Sequence, residues 1–277
     1  MHCKICEWKN RNITTKNCQK IFRITSTVSR ILKKKGIKYF KQQNAPASST
    51  KQKVEQIKSL KLLKKKLNES YRHDDLVMDD ESYFSFDGFD QHKNRGYYAS
   101  NNSAVDIEVK YKRREKFPTK LLVWIAISNK GCSDVFFLPK NGSINSEIYT
   151  NECILKRLLP FLKNHYPNED YIFWPDLATS HYSKYTLQFF IQNKIKFIEK
   201  QINPPNVPQL RPIEKFWSSL KSKVYENNWT AKNIQQLKCR IKNKLNEFTQ
   251  DSFSTLLESI RSKISKAAVE GPDSILK

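Results

Sequence analysis

Little in this sequence would carry it into or through a membrane. The longest apolar run, residues 121–127, falls far short of the roughly 20 residues a bilayer span needs. The first residues, Met1-His2-Cys3-Lys4-Ile5-Cys6, lack the apolar core of a secretory signal. No amphipathic basic helix studded with aromatics stands out, so an anionic lipid surface is the weaker candidate partner. Six cysteines scattered through 277 residues make no disulfide framework, which suits a reducing compartment inside the cell. Cys3 and Cys6 have the spacing of half a zinc site, but no second close pair follows, and two surface thiols is the simpler reading.

Acidic residues are also scarce: 27 Asp and Glu stand against 50 Lys and Arg, a formal charge of +23. The excess is concentrated at the start, where residues 1–73 hold 20 basic and 3 acidic side chains. A compact domain gains no stability from such self-repulsion, and the expected partner is a polyanion, nucleic acid first. The length allows one core of roughly 150 to 200 residues with a smaller domain beside it.

That smaller domain reads as helical. Residues 14–22 can start a helix from a Thr cap, and a second cap at Thr25 or Ser26 follows a short turn. Val28, Ile31 and Leu32 then fall at i, i+3, i+4 before Gly36, a good residue just past a helix end. Two short helices on a tight turn form a helix-turn-helix plan. Its second helix would offer Ser26, Thr27, Ser29, Arg30, Lys33 and Lys34 to base edges or phosphates. A solvated basic hairpin without sequence preference fits the same residues. Residues 42–50 are polar and lack periodicity, as a linker does, and a basic helix is expected over 51–67.

From residue 74 the pattern is α/β, with strands expected at 76–80, 83–86, 121–128, 133–138, 171–174 and 196–199. Helices are expected at 147–164, 183–193, 212–226, 233–247 and 252–267. Three acids stand out. Asp80 ends the strand-like Leu76-Val77-Met78-Asp79-Asp80, Asp176 follows Tyr171-Ile172-Phe173-Trp174-Pro175, and Glu214 sits in the first turn of a helix opened by Pro212. Open α/β sheets place sites at strand C-termini, so two neighbouring strands could bring the aspartates together. Taken singly, each acid is more often a turn former or a complement to a helix dipole. Asp79 competes with Asp80, and since adjacent strand residues face opposite ways only one can serve.

The order of these segments resembles the mariner-like DNA transposases of the Tc/mariner superfamily. The match runs from about Thr14 to Leu220 and is carried by Val28-Ser29-Arg30-Ile31-Leu32-Lys33-Lys34-Lys35-Gly36, Asp80-Glu81-Ser82, Val123-Trp124-Ile125-Ala126-Ile127, Asp176-Leu177-Ala178 with His181, and Pro208 to Trp217. The family's first aspartate directly precedes a glutamate, which selects Asp80 over Asp79. Relatives often carry Asn where Leu177 stands. The 37 residues between Asp176 and Glu214 resemble the variant with that spacing and a final Glu.

The resemblance implies a ribonuclease-H-like mixed sheet flanked by helices over 74–277, behind a partial helix-turn-helix module over 1–41 and a linker with connecting helix over 42–73. It implies cut-and-paste transposition, with Asp80, Asp176 and Glu214 as catalytic ligands of Mg²⁺, and Mn²⁺ as a substitute. Two such ions roughly 3.5 to 4 Å apart neutralise the entering and leaving oxygens of an in-line displacement. Double-stranded DNA would be the partner, as transposon ends and TA target sites, with a homodimer pairing two ends in the nucleus. Only 13 residues precede Thr14, fewer than a first helix-turn-helix unit needs. The alternative is therefore a truncated or domesticated DNA-binding protein without catalysis.

Overall fold

The structure is a computed structural model that describes residues 27–36, 47–71, 75–86, 119–138 and 142–276, with isolated positions between 88 and 111. The chain divides into two units, Met1–Ala45 and Pro46–Lys277. In the first, residues 27–34 form helix α1, closed by the amide of Lys35 on Ile31 and by Gly36 at φ +67. The expected preceding helix at 14–22, and Ser26, lie outside the described residues.

The second unit opens with α2 (Thr50–Glu69), whose start is fixed by a capping box between Ser49 and Gln52. Leu60, Leu63 and Leu67 recur at helical spacing and are buried against the sheet and its C-terminal helices. Among the described residues five strands follow: β1 (Asp75–Ser85), β2 (Lys120–Ser128), β3 (Gly131–Cys132), β4 (Phe136–Phe137) and β5 (Tyr171–Trp174). The sheet runs β3-β2-β1-β5, with β4 also on β2. β1 is antiparallel to β2 and parallel to β5, so the sheet is mixed.

Between β4 and β5 a helix, α3, runs without a break through Ser146–Ile148, Tyr149–Leu158 and Leu159–His165. Its middle stretch has the wider π hydrogen-bonding, with the Leu159 amide donating to Ile154. Then come α4 (Lys184–Gln192), α5 (Pro212–Val224), α6 (Ile234–Leu245), α7 (Gln250–Leu257) and α8 (Ile260–Glu270).

Strand alternation sorts the core into two layers. Leu76, Met78, Val123, Ile125 and Trp174 pack with α2 and α5 to α8 on one face. Val77, Trp124, Ala126 and Phe173 pack with α3 and α4 on the other. Both faces are covered, which explains why β2 is nearly all apolar.

Several expected boundaries differ. The strands expected at 76–80 and 83–86 are one strand, paired with β2 from Met78↔Ile127 to Ser85↔Lys120. The strand at 133–138 is reduced to the two-residue β4, with the short β3 just ahead of that range, the strand at 196–199 to a single bridge, Phe173↔Phe197, and the helix at 252–267 is split into α7 and α8. The architecture as a whole is the mixed α/β sheet flanked by helices that the family resemblance implied.

Candidate active site

β1 and β5 are parallel only from Asp75↔Tyr171 to Met78↔Trp174. β1 continues past the end of β5, so Asp80 lies mid-strand, and the chain leaving β5 brings Asp176 beside it. The short helical turn Pro208–Leu210 leads into α5, where Pro212 occupies the first turn without needing a hydrogen-bond acceptor for its nitrogen. Ile213, Phe216, Trp217, Leu220 and Val224 hold α5 on the sheet. Glu214 projects from its exposed side. Asp80, Asp176 and Glu214 line one cleft of about 210 Å³, together with Arg211, Asn206 and Pro208.

Each aspartate is anchored. Trp217 Nε1 donates to Asp80 Oδ2 at 3.0 Å, and the Ala178 amide donates to Asp176 Oδ1 at 2.9 Å. Glu214 takes no side-chain hydrogen bond or ion pair among the described residues. Arg211 is fixed by donating to the carbonyl oxygens of Asp79 (2.6 Å) and Pro175 (3.3 Å). Burial pushes the Asp80 carboxyl up to about 7, with Glu214 and Glu81 adding to the push and Arg211 opposing it. A carboxylate held among like charges in a low-dielectric cleft is a place where a cation is favoured.

Behind this cleft lies a buried charge network that the sequence did not announce. Asp79, on the opposite face of β1 from Asp80, is wholly buried and accepts from Trp124 Nε1 (3.0 Å) and Tyr149 OH (2.7 Å), both at Oδ2. Its Oδ1 has no hydrogen-bond partner among the described residues, and burial pushes this carboxyl up to about 6 despite the nearby His181. His181 is fully buried and stacks on Tyr149 with ring centres 3.8 Å apart. Its Nε2 lies 3.3 Å from Glu81 Oε1, and its Nδ1 lies 2.5 Å from Asp176 Oδ1, a charge contact without the angle of a good hydrogen bond.

Burial works against charge on His181, but Asp79, Asp176 and Glu81 outweigh it and push the imidazolium pKa up to about 10. Burial also raises Asp176. The contact with His181 and the Ala178 amide prevail, and its carboxyl is held below the ordinary range.

Asp80, Glu81 and Asp176 can each turn an oxygen to within 4.8 Å of the other two. Three hard oxygen donors at that spacing suit a divalent cation such as Mg²⁺ or Mn²⁺. Glu81 entered the sequence reading only as the neighbour that marks Asp80, and Arg211 only as part of a helix approach. Glu214 lies on the same cleft but outside that closest cluster. Of the expected DNA-contacting residues, Thr27, Ser29, Arg30, Lys33 and Lys34 are exposed on α1.

No family model matches the chain. It is 28% identical over 189 residues to the Tc3 transposase of Caenorhabditis elegans, covering 68% of this chain and 54% of that protein. The chain thus spans about half the length of the curated relative it matches. Among solved structures, the Mos1 transposase paired-end complex with left transposon end superposes with a TM-score of 0.71 at 14% identity, over 89% of this chain and 70% of that one. The catalytic domain of Mos1 mariner transposase gives 0.61 at 13% identity, over 83% and 98%. Paired-end complexes of the same transposase have been solved with Mn and with Mg. The chain is thus similar in sequence to the Tc3 transposase and shares the fold of the Mos1 transposase catalytic domain.

Proposed function

We propose that this chain is a cut-and-paste DNA transposase, a metal-dependent endonuclease and strand transferase. The observation that carries the reading is the meeting of Asp80, Asp176 and Glu214 on a single cleft, from three separate elements. In this reading all three are ligands of Mg²⁺, with Mn²⁺ as a substitute. When bound, such ions sharpen an attacking oxygen and neutralise the leaving one.

The chain's own residues fix where that happens. Trp217 and the Ala178 amide each hold one oxygen of an aspartate, so the carboxylates cannot swing away. Glu81 faces His181 and is occupied there, whereas Glu214 is uncommitted among the described residues, which favours Glu214 as the third ligand and gives Glu81 a positioning role. Arg211, tied to the carbonyls of Asp79 and Pro175, keeps a permanent positive charge at the rim where a phosphodiester would enter.

The substrate is double-stranded DNA, first at the element's ends and then at TA target sites. The ends are paired by a homodimer, and the work is done in the nucleus. The relationship to Tc3 and the likeness to Mos1 complexes with transposon-end DNA support DNA as the polymer acted on. α1 supplies the exposed Thr27, Ser29, Arg30, Lys33 and Lys34 for groove and phosphate contacts, with Ser26 just ahead of it. Residues 1–41 are assigned to this DNA-binding module, 42–73 to the linker and connecting helix, and 74–277 to the catalytic domain.

The test is nicking of supercoiled DNA in Mg²⁺ by the full chain and by Asp176→Asn, at matched DNA binding. Wild-type nicking that falls to background in the variant is the expected result. Equal binding with no cleavage by either protein would make this a DNA-binding remnant instead.

A further inference from the structure

A much larger cavity, about 860 Å³, lies away from the carboxylate cleft. Its walls are the β2–β3 hairpin with Lys130, α3 with Lys156 and Arg157, and the α6–α7 junction with Lys242. The hairpin forms the β3 edge of the sheet, whereas the aspartates lie on the β1–β5 side. Four cations therefore converge from three elements on a groove whose lining contains one acid, Asp134.

The state of each cation decides what the groove can bind. Lys156 and Arg157 share Glu152 at 2.5 and 3.4 Å. Arg157 is further pinned by the Val135 carbonyl at 3.3 Å and by stacking its guanidinium 4.8 Å from the Phe136 ring. Lys130 and Lys242 have no carboxylate within ion-pair reach among the described residues. Lys242 lies 5.9 Å above the Phe137 ring, and Lys238, one turn earlier on α6, lies 5.6 Å above the same ring. One aromatic ring thus attracts both ammonium groups.

Lys130 and Lys242, which face the groove without a carboxylate partner among the described residues, gain the fold nothing by that placement. They are relieved by a polyanion. An open trough lined by separated ammonium groups, with few aromatic faces free to stack bases, matches a duplex backbone, which carries one charge per roughly 1.7 Å of axis. We propose that this groove is a second DNA-backbone site, holding double-stranded DNA away from the catalytic cleft and without reading its sequence. The proposal rests on the reading of the chain as a protein that acts on DNA.

Binding of a random-sequence duplex to the full chain, followed by fluorescence anisotropy across a salt series in EDTA, tests it. Lys130→Ala with Lys242→Ala removes two of the groove's charges. Lys163→Ala with Lys194→Ala removes two exposed charges elsewhere. The groove pair is expected to flatten the slope of log K against log salt by about 2, at ~0.9 per phosphate contact, and the control pair by clearly less. A groove variant with the wild-type slope, or a control that shifts it equally, overturns the proposal. So does a groove variant that loses RNA-duplex binding while keeping that of DNA. Because EDTA removes cleavage from the readout, an inactive carboxylate cleft would leave this result untouched.

Discussion

Asp79 and Asp80 are adjacent in sequence and lie on opposite faces of β1, and their surroundings give them opposite work. Asp79 is sealed among Trp124, Tyr149 and His181. Asp80 is only partly buried and opens on the cleft. Strand alternation allows one of the pair to serve the cleft, but it does not say which, and the choice of Asp80 came from the Glu81 that follows it. What no spacing could reveal is that His181, 100 residues further on, compensates Asp79, Glu81 and Asp176 together. Such a partner becomes visible only when β1 and the turn after β5 are set side by side. The anchoring of Asp80 by Trp217 was equally hidden, since a Trp at helical spacing reads as core, and this one is both core and donor. Trp217→Phe should keep the ring packing on Phe84 while deleting the indole donor. Outer-shell partners of metal ligands are worth about 10- to 100-fold in metal affinity or activity. Nicking rates measured against Mn²⁺ concentration should therefore need more metal to reach half-maximum. An unchanged titration would show that Trp217 contributes packing alone.

Elements were legible where periodicity was strong and burial two-sided: β2, β5, α4, α5 and α6 lie within a few residues of their expected ranges. β1 is a single strand where two were expected, over 76–80 and 83–86. It continues because Asp79 finds two buried donors and because every residue from Met78 to Ser85 pairs with β2. The wider turns of α3 were not legible either. Pro160 lacks an amide proton, and its ring crowds the carbonyl four residues back in an ordinary helix, a conflict eased by the π hydrogen-bonding just before it. The packing of α2 has a consequence for the cleft. Gln56, buried on that helix, donates through Nε2 to the carbonyls of Pro205 (3.1 Å) and Asn206 (3.3 Å), in the loop that forms one wall of the cleft. Gln56→Leu leaves both carbonyls unpaired and should cost about 1–3 kcal/mol, read as a lower urea midpoint. Lys66→Ala, on the same helix, breaks a half-exposed pair with Glu199 at 3.2 Å and should cost no more than about 1 kcal/mol. If Lys66 proved the costlier of the two, the loop would not depend on Gln56 for its position.

At the scale of the whole second unit, Pro46–Lys277, the acids form a region of stored repulsion joined to a well-packed body. Asp80, Glu81, Asp176 and Glu214 crowd together, with His181 and Arg211 to offset them among the described residues, and burial together with the neighbouring acids raises the Asp80 carboxyl. A unit built this way gains more from a divalent cation than an ordinary surface would, because the ion binds the folded arrangement and not the dispersed acids of the unfolded chain. At a metal concentration of 100 times Kd the linkage is about 2.7 kcal/mol. For a unit of roughly this size that corresponds to a rise of about 5–11 °C in Tm. Mn²⁺ added to the metal-free full chain should therefore raise Tm, and the rise should shrink sharply in Asp80→Asn and in Asp176→Asn. In Glu81→Gln it should persist in part, if Glu81 positions the others through His181 instead of holding the ion itself. Glu214→Gln separates the two arrangements of the third ligand: a lost Tm rise there with Glu81→Gln near wild type supports Glu214. The reverse pattern would move the third oxygen to Glu81, and equal rises in all four variants would mean that Mn²⁺ binds somewhere other than this cleft.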